Sequence, residues 1–451
     1  MRADVRMPVG RADGPFAVAV VATGVLLLYS GRSLTFWFDE WRSIAFQGTV
    51  VDLFRPVNEH WQTFPLILYR STFELVGLHS YLPYLAQVIL LHLVAVAGAY
   101  VLMRRRVGPF TATLLCLPLL LVGVGAENLF WAFQTGFVGS VAFGVWSLGL
   151  IEQPGRRMAI AASVLLIVSL TASGIGLFFL VAVAGRAAAE RVHRRRLAAV
   201  VAPSLVYLAW YALLGRDAIG SAGDLAKPVA VVRFTLCGIG HSIEAMGGLD
   251  RLGAGGLVGP ALFAILGAIA LRRAHRGQAQ GLAIGCLLGL VAMYVVIGIA
   301  RAELDSDYST RGRYVYVAAF FLMLCIADLL AGKDVSVRAP GIRHRPLAVL
   351  AAGIALSWVL AVNIHALFTV RTQFQYQSDL TRAIIDLSIR HEGEPWLDPD
   401  AGLDLMPPAG ALPAVVERYG SPLEDAYFPS VVSEPSDDAY EYARRILSRD
   451  E

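Results

Sequence analysis

The sequence predicts an all-α membrane protein with about eleven transmembrane helices. Hydrophobic residues make up 56% of the 451 residues, charged residues make up 16%, and the mean hydropathy is +0.59. A soluble chain carries about a quarter charged residues. Long apolar runs recur along the sequence, separated by short charged segments or by segments that contain Gly and Pro. This pattern is typical of a polytopic helical protein, because a helix satisfies its own backbone hydrogen bonds inside the bilayer.

Each span is predicted from an apolar run and from the charged or Gly- and Pro-bearing segment that ends it. The first run leads into an aromatic segment and has no small-residue cleavage site, so we expect a retained span and not a cleaved signal. We expect spans at residues 14–31, 81–103, 109–126, 134–151, 158–172, 174–189, 197–214, 254–271, 281–300, 313–331 and 346–367.

Clusters of arginine predict the orientation of these spans. They occur at residues 104–106, 156–157, 191–196, 272–276 and 343–345. The positive-inside rule places these clusters and the N-terminus in the cytoplasm. The spans then alternate correctly if the apolar segment 229–250, which carries Arg233, His241 and Glu244, lies at or dips into the external face without crossing. The odd number of spans places the C-terminus outside.

The last part of the chain is predicted to be a small extracytoplasmic region. Residues 368–451 contain no spanning run and carry 16 acidic and 7 basic residues. We expect helices at 372–391 and 435–449, with a Pro- and Gly-rich stretch between them. The chain therefore divides into a polytopic domain, residues 1–367, and a small acidic region, residues 368–451. The four cysteines are scattered singly, which favours packing roles over disulfides or metal binding.

The most informative polar residues follow the first span, in the segment FWFDEWRS at 36–43. Aromatic rings favour the headgroup layer, so this segment holds two adjacent carboxylates at the membrane surface. Asp39 and Glu40 do not share a face on a regular helix. We expect Asp39 to be the reactive carboxylate, a general base that takes a proton from an acceptor hydroxyl, with Glu40 as the second catalytic candidate. The alternative is an interfacial salt bridge between one of them and Arg42.

The same loop continues with NEHWQTFP at 58–65, which supplies Glu59 and His60. An amphipathic helix follows at 66–78. It is too short and too polar to span, so we expect it to lie in the interface. Glu59 and His60 are candidates for substrate binding, and together with Asp39 they could hold a divalent cation, Mg²⁺ or Mn²⁺. The alternative is an ordinary pair of solvated loop residues.

The loop RAELDSDYSTRGRY at 301–314 falls on the same predicted face. Arg301, Arg311 and Arg313 lie at the ends of two spans, where the phosphate of a lipid would be. Guanidinium groups suit bidentate phosphate recognition, and arginines on the external face run against the positive-inside bias. The alternatives are snorkelling and pairing with the acidic residues of the same loop, Glu303, Asp305 and Asp307.

A further external loop, ENLFWAFQ at 127–134, contains two candidate substrate-binding residues. Trp131 and Gln134 could line a groove for a sugar or a lipid. The alternative is that the aromatic residues belong to the belt of aromatic side chains that is common at membrane interfaces.

Together these segments resemble the GT-C superfamily of polytopic glycosyltransferases, which take a sugar from a polyprenyl-phosphate donor on the non-cytoplasmic face. The resemblance rests on FWFDEW at 36–41, FPLILYR at 64–70, NLFWAFQTGF at 128–137 and RGRYVY at 311–316, and it covers residues 14–367 as architecture.

The resemblance implies that Asp39 activates the acceptor and that attack passes through an oxocarbenium-like transition state with inversion. It also implies that the leaving polyprenyl phosphate is stabilised by Arg301, Arg311 or Arg313. The adjacent Asp-Glu pair departs from the family's two spaced aspartates, which leaves the identity of the base and the need for a metal open.

The sequence thus predicts transfer of a sugar to an extracytoplasmic acceptor, which is a cell-envelope glycan, a lipid or a protein. The alternative from another class is a transporter or flippase for a lipid-linked glycan or a small solute. Transport predicts charged residues or broken helices near the bilayer midplane, and the predicted span centres carry almost none. The basic clusters fit topology signals, so we expect no nucleic-acid partner.

Overall fold

The computed structural model describes residues 11–41, 49–190, 194–216, 226–253, 256–278, 280–303, 307–331, 345–425, 427, 432 and 434–448. This part of the chain is mostly helical, with one short antiparallel hairpin of strands β1 (Pro56–Val57) and β2 (His60–Trp61). The helices are α1 (Gly14–Gly31), α2 (Thr63–Val76), α3 (Leu82–Leu120), α4 (Glu127–Phe130), α5 (Thr135–Leu150), α6 (Arg156–Ala172), α7 (Gly176–Ala189), α8 (Arg194–Trp210), α9 (Pro228–Gly247), α10 (Val258–His275), α11 (Gly281–Arg301), α12 (Gly312–Leu330), α13 (Arg345–Arg390), α14 (Leu412–Tyr419) and α15 (Asp437–Leu447).

Eight helical segments in the described residues are long and apolar enough to cross a membrane. They are α1, α3, α5 with the turn before it, α9, α10, α11, α12 and α13. The apolar helix α7 and the segment Ala199–Gly215 are shorter. Every predicted span has a helix at its position, and the core lies among α3, α5, α7, α11 and α12, where rings such as Phe179 and Phe321 are fully buried.

One predicted break between helices is present in the structure and another is absent. The predicted spans 81–103 and 109–126 are the two parts of α3, which are separated by a kink at Gly108, and the second part ends at Leu120. Gly108 has φ of 79°, and Pro109 follows it, so the backbone turns without a steric penalty and without a regular helical hydrogen bond. The predicted span 346–367 and the predicted helix 372–391 are a single helix, α13, of 46 residues.

Helix α9, at the segment predicted to lie on the external face, has the length and the apolarity of a span. Before its first turn, the Ala226 N–H donates to the carbonyl oxygen of Ile299 at the end of α11 (3.2 Å). Near its last turn, the Met246 carbonyl accepts from Nδ2 of Asn363 in α13 (3.1 Å). The helix therefore runs from the end of α11 to α13. That it does not cross the bilayer stays a prediction.

The predicted cytoplasmic arginine cluster at residues 104–106 lies at one end of the helix bundle. Arg104 pairs with Asp13 at the start of α1 (3.1 Å), and Arg106 pairs with Asp328 at the end of α12 (2.7 Å). Arg106 and Arg186 both pair with Glu152, between α5 and α6. Paired charges are far less costly to bury than isolated ones. The opposite end of the bundle carries the polar loops described below.

The C-terminal region packs against these loops. Arg382 in α13 is almost fully buried and donates to the Ser33 carbonyl (2.9 Å). The Leu78 N–H donates to the Tyr419 carbonyl (2.8 Å), and the Ser80 hydroxyl donates to Asp425 (2.6 Å). The predicted boundary at residue 367 falls inside α13, so the polytopic part and the C-terminal region are joined by continuous helix.

Candidate active site

A cleft of about 420 Å³ opens at the end of the bundle opposite the arginine cluster. Five parts of the chain contribute to it: the loop after α1, the β1–β2 hairpin, the start of α5, the α11–α12 connection and one residue from the C-terminal region. We refer to it as the Asp39 cleft. Its lining is Phe38, Asp39, Asn58, Glu59, His60, Gln62, Phe133, Gln134, Gly136, Phe137, Arg301, Tyr308, Arg313, Tyr314 and Leu405.

Asp39 lies in a tight turn at the entrance of this cleft. Phe38 has φ of 49°, and the Trp41 N–H donates to its carbonyl (3.0 Å), so the chain reverses beside the carboxylate. Asp39 is 8% exposed, and its Oδ1 accepts a hydrogen bond from Nδ2 of Asn58 (3.0 Å). The side chain is therefore held in a fixed direction and still lines the cleft.

Glu40 points away from the cleft and is completely buried. Its carboxylate accepts hydrogen bonds from the Tyr69 hydroxyl (2.8 Å), the Tyr81 hydroxyl (2.9 Å) and the backbone N–H groups of Trp37 (2.7 Å) and Phe133 (3.1 Å). Burial raises the pKa of Glu40 to about 8, and these hydrogen bonds offset part of that rise. Glu40 thus ties the loop after α1 to α2, to the start of α3 and to the loop before α5. The predicted salt-bridge partner, Arg42, lies outside the described residues.

The β1–β2 hairpin presents Glu59 and His60 to the same cleft. Its two turn residues, Asn58 and Glu59, have φ of 47° and 68°, the conformation of a type I′ turn, in which glycine is strongly favoured at the second position. Glu59 pairs with Arg301 (3.3 Å). Burial, helped by the positive charges of Arg301 and Arg313, lowers the pKa of His60 to about 4, so its imidazole is neutral near pH 7.

The arginines of the α11–α12 connection gather around Tyr308. Arg301 and Arg313 each donate to its hydroxyl (2.9 Å), and the guanidinium carbons of Arg301, Arg311 and Arg313 lie 5.1, 5.4 and 5.5 Å from its ring centre. Arg313 also pairs with Glu127 (3.6 Å). Of the predicted loop partners, Glu303 accepts from the Lys227 N–H (3.0 Å), and Asp305 lies outside the described residues.

A second cleft, of about 390 Å³, lies next to the first. Arg311 lines this second cleft, and so does Trp131, which is 7% exposed and donates through its indole N–H to the Trp37 carbonyl (3.3 Å). Gln134 lines the Asp39 cleft, where its buried Oε1 has no hydrogen-bond partner among the described residues. Of the nine predicted site residues, six therefore line the Asp39 cleft, two line the second cleft, and Glu40 supports the wall.

The fit of a metal ion can be judged from the ligands present. Asp39, Glu59 and His60 line one cleft, but among the described residues no group of three His, Cys, Asp or Glu side chains is arranged to hold a metal ion. Arg301 and Arg313 already bring positive charge to this space.

Several residues that line the cleft were not identified from the sequence, and three of them are important for its geometry. Asn58 holds Asp39, Tyr308 collects the arginines, and Leu405 reaches the cleft from the C-terminal region. Asn tolerates positive φ and is common in turns, so a turn at Asn58 could have been predicted. Tyr308 and Leu405 carry no comparable local signal.

Comparisons with known proteins identify the fold. No family model matches the chain, and no curated protein matches its sequence. Among solved structures, the chain is similar to ArnT from Cupriavidus metallidurans, whose crystal structure has undecaprenyl phosphate bound. The TM-score is 0.53 at 14% sequence identity, and the match covers 96% of this chain and 88% of the ArnT chain. The chain is therefore a multi-pass membrane protein that shares the fold of ArnT.

Proposed function

We propose that this chain is a membrane glycosyltransferase that moves a sugar from a polyprenyl-phosphate donor to an acceptor. One observation carries the proposal: Asp39, Glu59, His60, Arg301 and Arg313, which come from distant parts of the sequence, line a single cleft at one end of the helix bundle. A carboxylate base beside two guanidinium groups matches a hydroxyl acceptor and a phosphate leaving group. The shared fold with ArnT, which binds undecaprenyl phosphate, supports the donor class.

The cleft is proposed to face the extracytoplasmic side. The Arg104 and Arg106 ion pairs lie at the opposite end of the bundle from Asp39. Arginine-rich ends stay in the cytoplasm, so the cleft end faces outward. The C-terminal region, which packs against the cleft loops, lies on that outer side, and the N-terminus lies inside.

Asp39 is proposed to act as the general base. It takes the proton of the acceptor hydroxyl while the hydroxyl oxygen forms a bond to the anomeric carbon. The bond from that carbon to the phosphate oxygen breaks, and the electron pair leaves with the polyprenyl phosphate. Arg301 and Arg313 stabilise the charge that develops on the phosphate. A single displacement of this kind inverts the anomeric centre.

The neighbouring residues have distinct proposed roles. Glu40 is a positioning residue, because its four hydrogen bonds fix the turn that carries Asp39. Glu59 orients Arg301 through their ion pair. His60 is neutral and hydrogen-bonds the substrate, as does the unpartnered amide oxygen of Gln134.

Trp131 and Arg311 are proposed to bind substrate from the second cleft. This cleft also contains Glu127, Gln373 and Gln377, a mixture of aromatic, amide and charged groups that suits a polar substrate with an apolar face. We assign it to the part of a substrate that extends away from the reacting centre.

Dependence on Mg²⁺ or Mn²⁺ is a secondary proposal. Asp39, Glu59 and His60 would supply the ligands, and no step of the mechanism above is routed through the ion. Transfer measured with and without a chelator, followed by re-addition of each cation, tests it.

The experiment is sugar transfer in membranes that express the full chain, with a panel of polyprenyl-phosphate sugars. The native chain is compared with Asp39→Asn and with Asp438→Asn, an exposed carboxylate outside both clefts, as the matched control. We expect transfer by the native chain and by the control, and its collapse in Asp39→Asn at equal expression. Full transfer by Asp39→Asn would move the base to another carboxylate. Movement of an unmodified lipid-linked glycan across proteoliposomes would support the transporter alternative instead.

A further inference from the structure

One residue of the Asp39 cleft comes from the C-terminal region, far along the chain from the others. Residues 403–406 form a four-residue turn in which the Met406 N–H donates to the Leu403 carbonyl (3.1 Å). Leu405, the third residue of this turn, has φ of 65°. Glycine is favoured at that position of a turn with positive φ, because a side chain there crowds the backbone.

The turn is held firmly in place. At its base, the Ala409 N–H donates to the Ala401 carbonyl (2.8 Å), and the Gly410 N–H donates to the Pro399 carbonyl (2.9 Å). Met406 is 8% exposed and, with Leu403 and Asp404, borders a small cavity of about 160 Å³ whose other walls come from Trp37, Phe38, Trp41 and Thr381. The loop that carries Asp39 and the turn that carries Leu405 are therefore neighbours.

Leu405 and Phe38 share three properties. Both have positive φ, both line the Asp39 cleft, and both remain 39% exposed although they are large and apolar. The fold does not require a leucine at this turn, since glycine would adopt the same backbone more easily. The backbone of the turn therefore does not explain the leucine, whose side chain lines the Asp39 cleft.

We propose that Leu405 is a specificity-determining residue that, with Phe38, packs against the apolar C–H face of a sugar ring. The hydroxyl edge of that ring faces Asp39 and Asn58. Pockets for such ligands combine apolar walls with a few fixed polar groups, and this cleft has both. The proposal rests on the proposed glycosyltransferase function, and the sugar ring is that of the donor or that of the acceptor.

The test uses two substitutions that remove the apolar side chain of Leu405 without adding strain to the turn. Leu405→Gly relieves the positive φ, and Leu405→Asn keeps a side chain of similar length on a residue type that tolerates this conformation. Leu403→Ala, in the same turn but outside the Asp39 cleft, is the matched control. Purified full-length protein in lipid nanodiscs is used to measure thermal stability and the binding of undecaprenyl phosphate and of a panel of polyprenyl-phosphoryl sugars. Membranes are used to measure transfer.

We expect Leu405→Gly to melt at or above the native temperature. If the ring belongs to the donor, Leu405→Gly and Leu405→Asn bind the polyprenyl-phosphoryl sugar about tenfold more weakly and bind undecaprenyl phosphate unchanged, because one apolar contact is lost. If the ring belongs to the acceptor, donor binding is unchanged and transfer loses about tenfold in kcat/KM for the acceptor.

Two results would overturn the inference. One is equal binding and equal transfer by the native chain and both Leu405 variants. The other is equal weakening of undecaprenyl phosphate and of its sugar conjugates, which would mean that Leu405 acts on the lipid phosphate. A failure of the proposed function can be distinguished from a failure of this inference. The former would appear as transfer that does not depend on Asp39, whereas the binding measurements on the Leu405 variants do not require transfer.

Discussion

Replacing Glu59 with glycine separates two properties of this residue that oppose each other. Glu59 occupies the second position of a two-residue hairpin turn with φ of 68°, where glycine is favoured. Its carboxylate also pairs with Arg301 in the proposed phosphate site (3.3 Å). The substitution relieves the backbone and removes the carboxylate, so stability and activity should respond differently.

The size of each effect follows from the structure. Removing the backbone strain of a non-glycine residue in the left-handed conformation raises the free energy of unfolding by about 1–2 kcal/mol. The greater conformational freedom of glycine in the unfolded chain lowers it by about 0.5–1 kcal/mol. The side chains of Arg301 and Glu59 are 25% and 37% exposed, so loss of their pair costs only about 0.2–1 kcal/mol. We therefore expect Glu59→Gly to be about as stable as the native chain. Glu59→Ala keeps the strain, loses the pair and should be the less stable variant by about 1 kcal/mol.

Both variants should lose activity by similar amounts, because each removes the group that orients Arg301. A misplaced charged partner of a phosphate costs about 1–3 kcal/mol, or about 5-fold to 160-fold in rate. Thermal unfolding in nanodiscs and transfer from a polyprenyl-phosphate sugar in membranes give the two readouts. Full transfer by either variant, or lower stability of Glu59→Gly than of Glu59→Ala, would refute the reasoning.

Four further predictions concern Glu40, which supports the wall of the cleft, and Arg313 and His60, which line it. In Glu40→Gln, an amide N–H₂ group faces backbone or hydroxyl donors and cannot accept their hydrogen bonds. Unfolding experiments should therefore find this variant about 1–3 kcal/mol less stable than the native chain. Asp39→Asn should instead keep native stability and lose transfer. Because folding raises the pKa of Glu40 to about 8, its contribution to stability falls as pH rises from about 4.5 to 8, and this part of the pH dependence should vanish in Glu40→Gln. Arg313→Gln should weaken binding of undecaprenyl phosphate about tenfold and reduce its salt dependence, measured in nanodiscs at two ionic strengths. Folding lowers the pKa of His60 to about 4, so between about pH 6.5 and 4 this imidazole is protonated in the unfolded chain and neutral in the folded chain. The stability of the native chain should therefore fall as the pH is lowered through this range, and the fall should be smaller in His60→Asn.

Most of the helices could be predicted from the sequence because the bilayer imposes a strong signal. Each apolar run predicted to span has a helix at its position in the described residues, including the buried α12 and the exposed α10, whereas α9 has the length and apolarity of a span and was predicted not to cross. The length of α13 could not be predicted in this way. Hydropathy falls after residue 367, but the backbone hydrogen bonds continue to Arg390, because polar residues such as Gln375 and Ser378 bond within the helix and to the loop after α1.

The sequence predicted which types of residue lie at this end of the bundle, but it did not predict how they are arranged in space. Asp39, Glu59, Arg301 and Arg313 are polar groups in predicted external loops, and they line one cleft. Arg311, only two residues before Arg313, lines the neighbouring cleft. The chain enters α12 at this point, and in a helix residues two apart point to different sides. A loop sequence alone does not reveal where such a turn begins.

Backbone conformation gives an independent reason to regard the Asp39 cleft as the functional centre. In the described residues, positive φ is taken by nine glycines, such as Gly77 and Gly155, and none of these nine lines the cleft. The four non-glycine residues with positive φ, which are Phe38, Asn58, Glu59 and Leu405, all line it. Each such residue costs about 1–3 kcal/mol and persists where the side chain is needed. At the other positive-φ positions of the described residues, the chain meets the same backbone requirement with glycine. The cleft therefore keeps a carboxylate, an amide and two apolar groups at positions where folding alone favours glycine or no side chain, which is the pattern expected of residues retained for contact with a substrate.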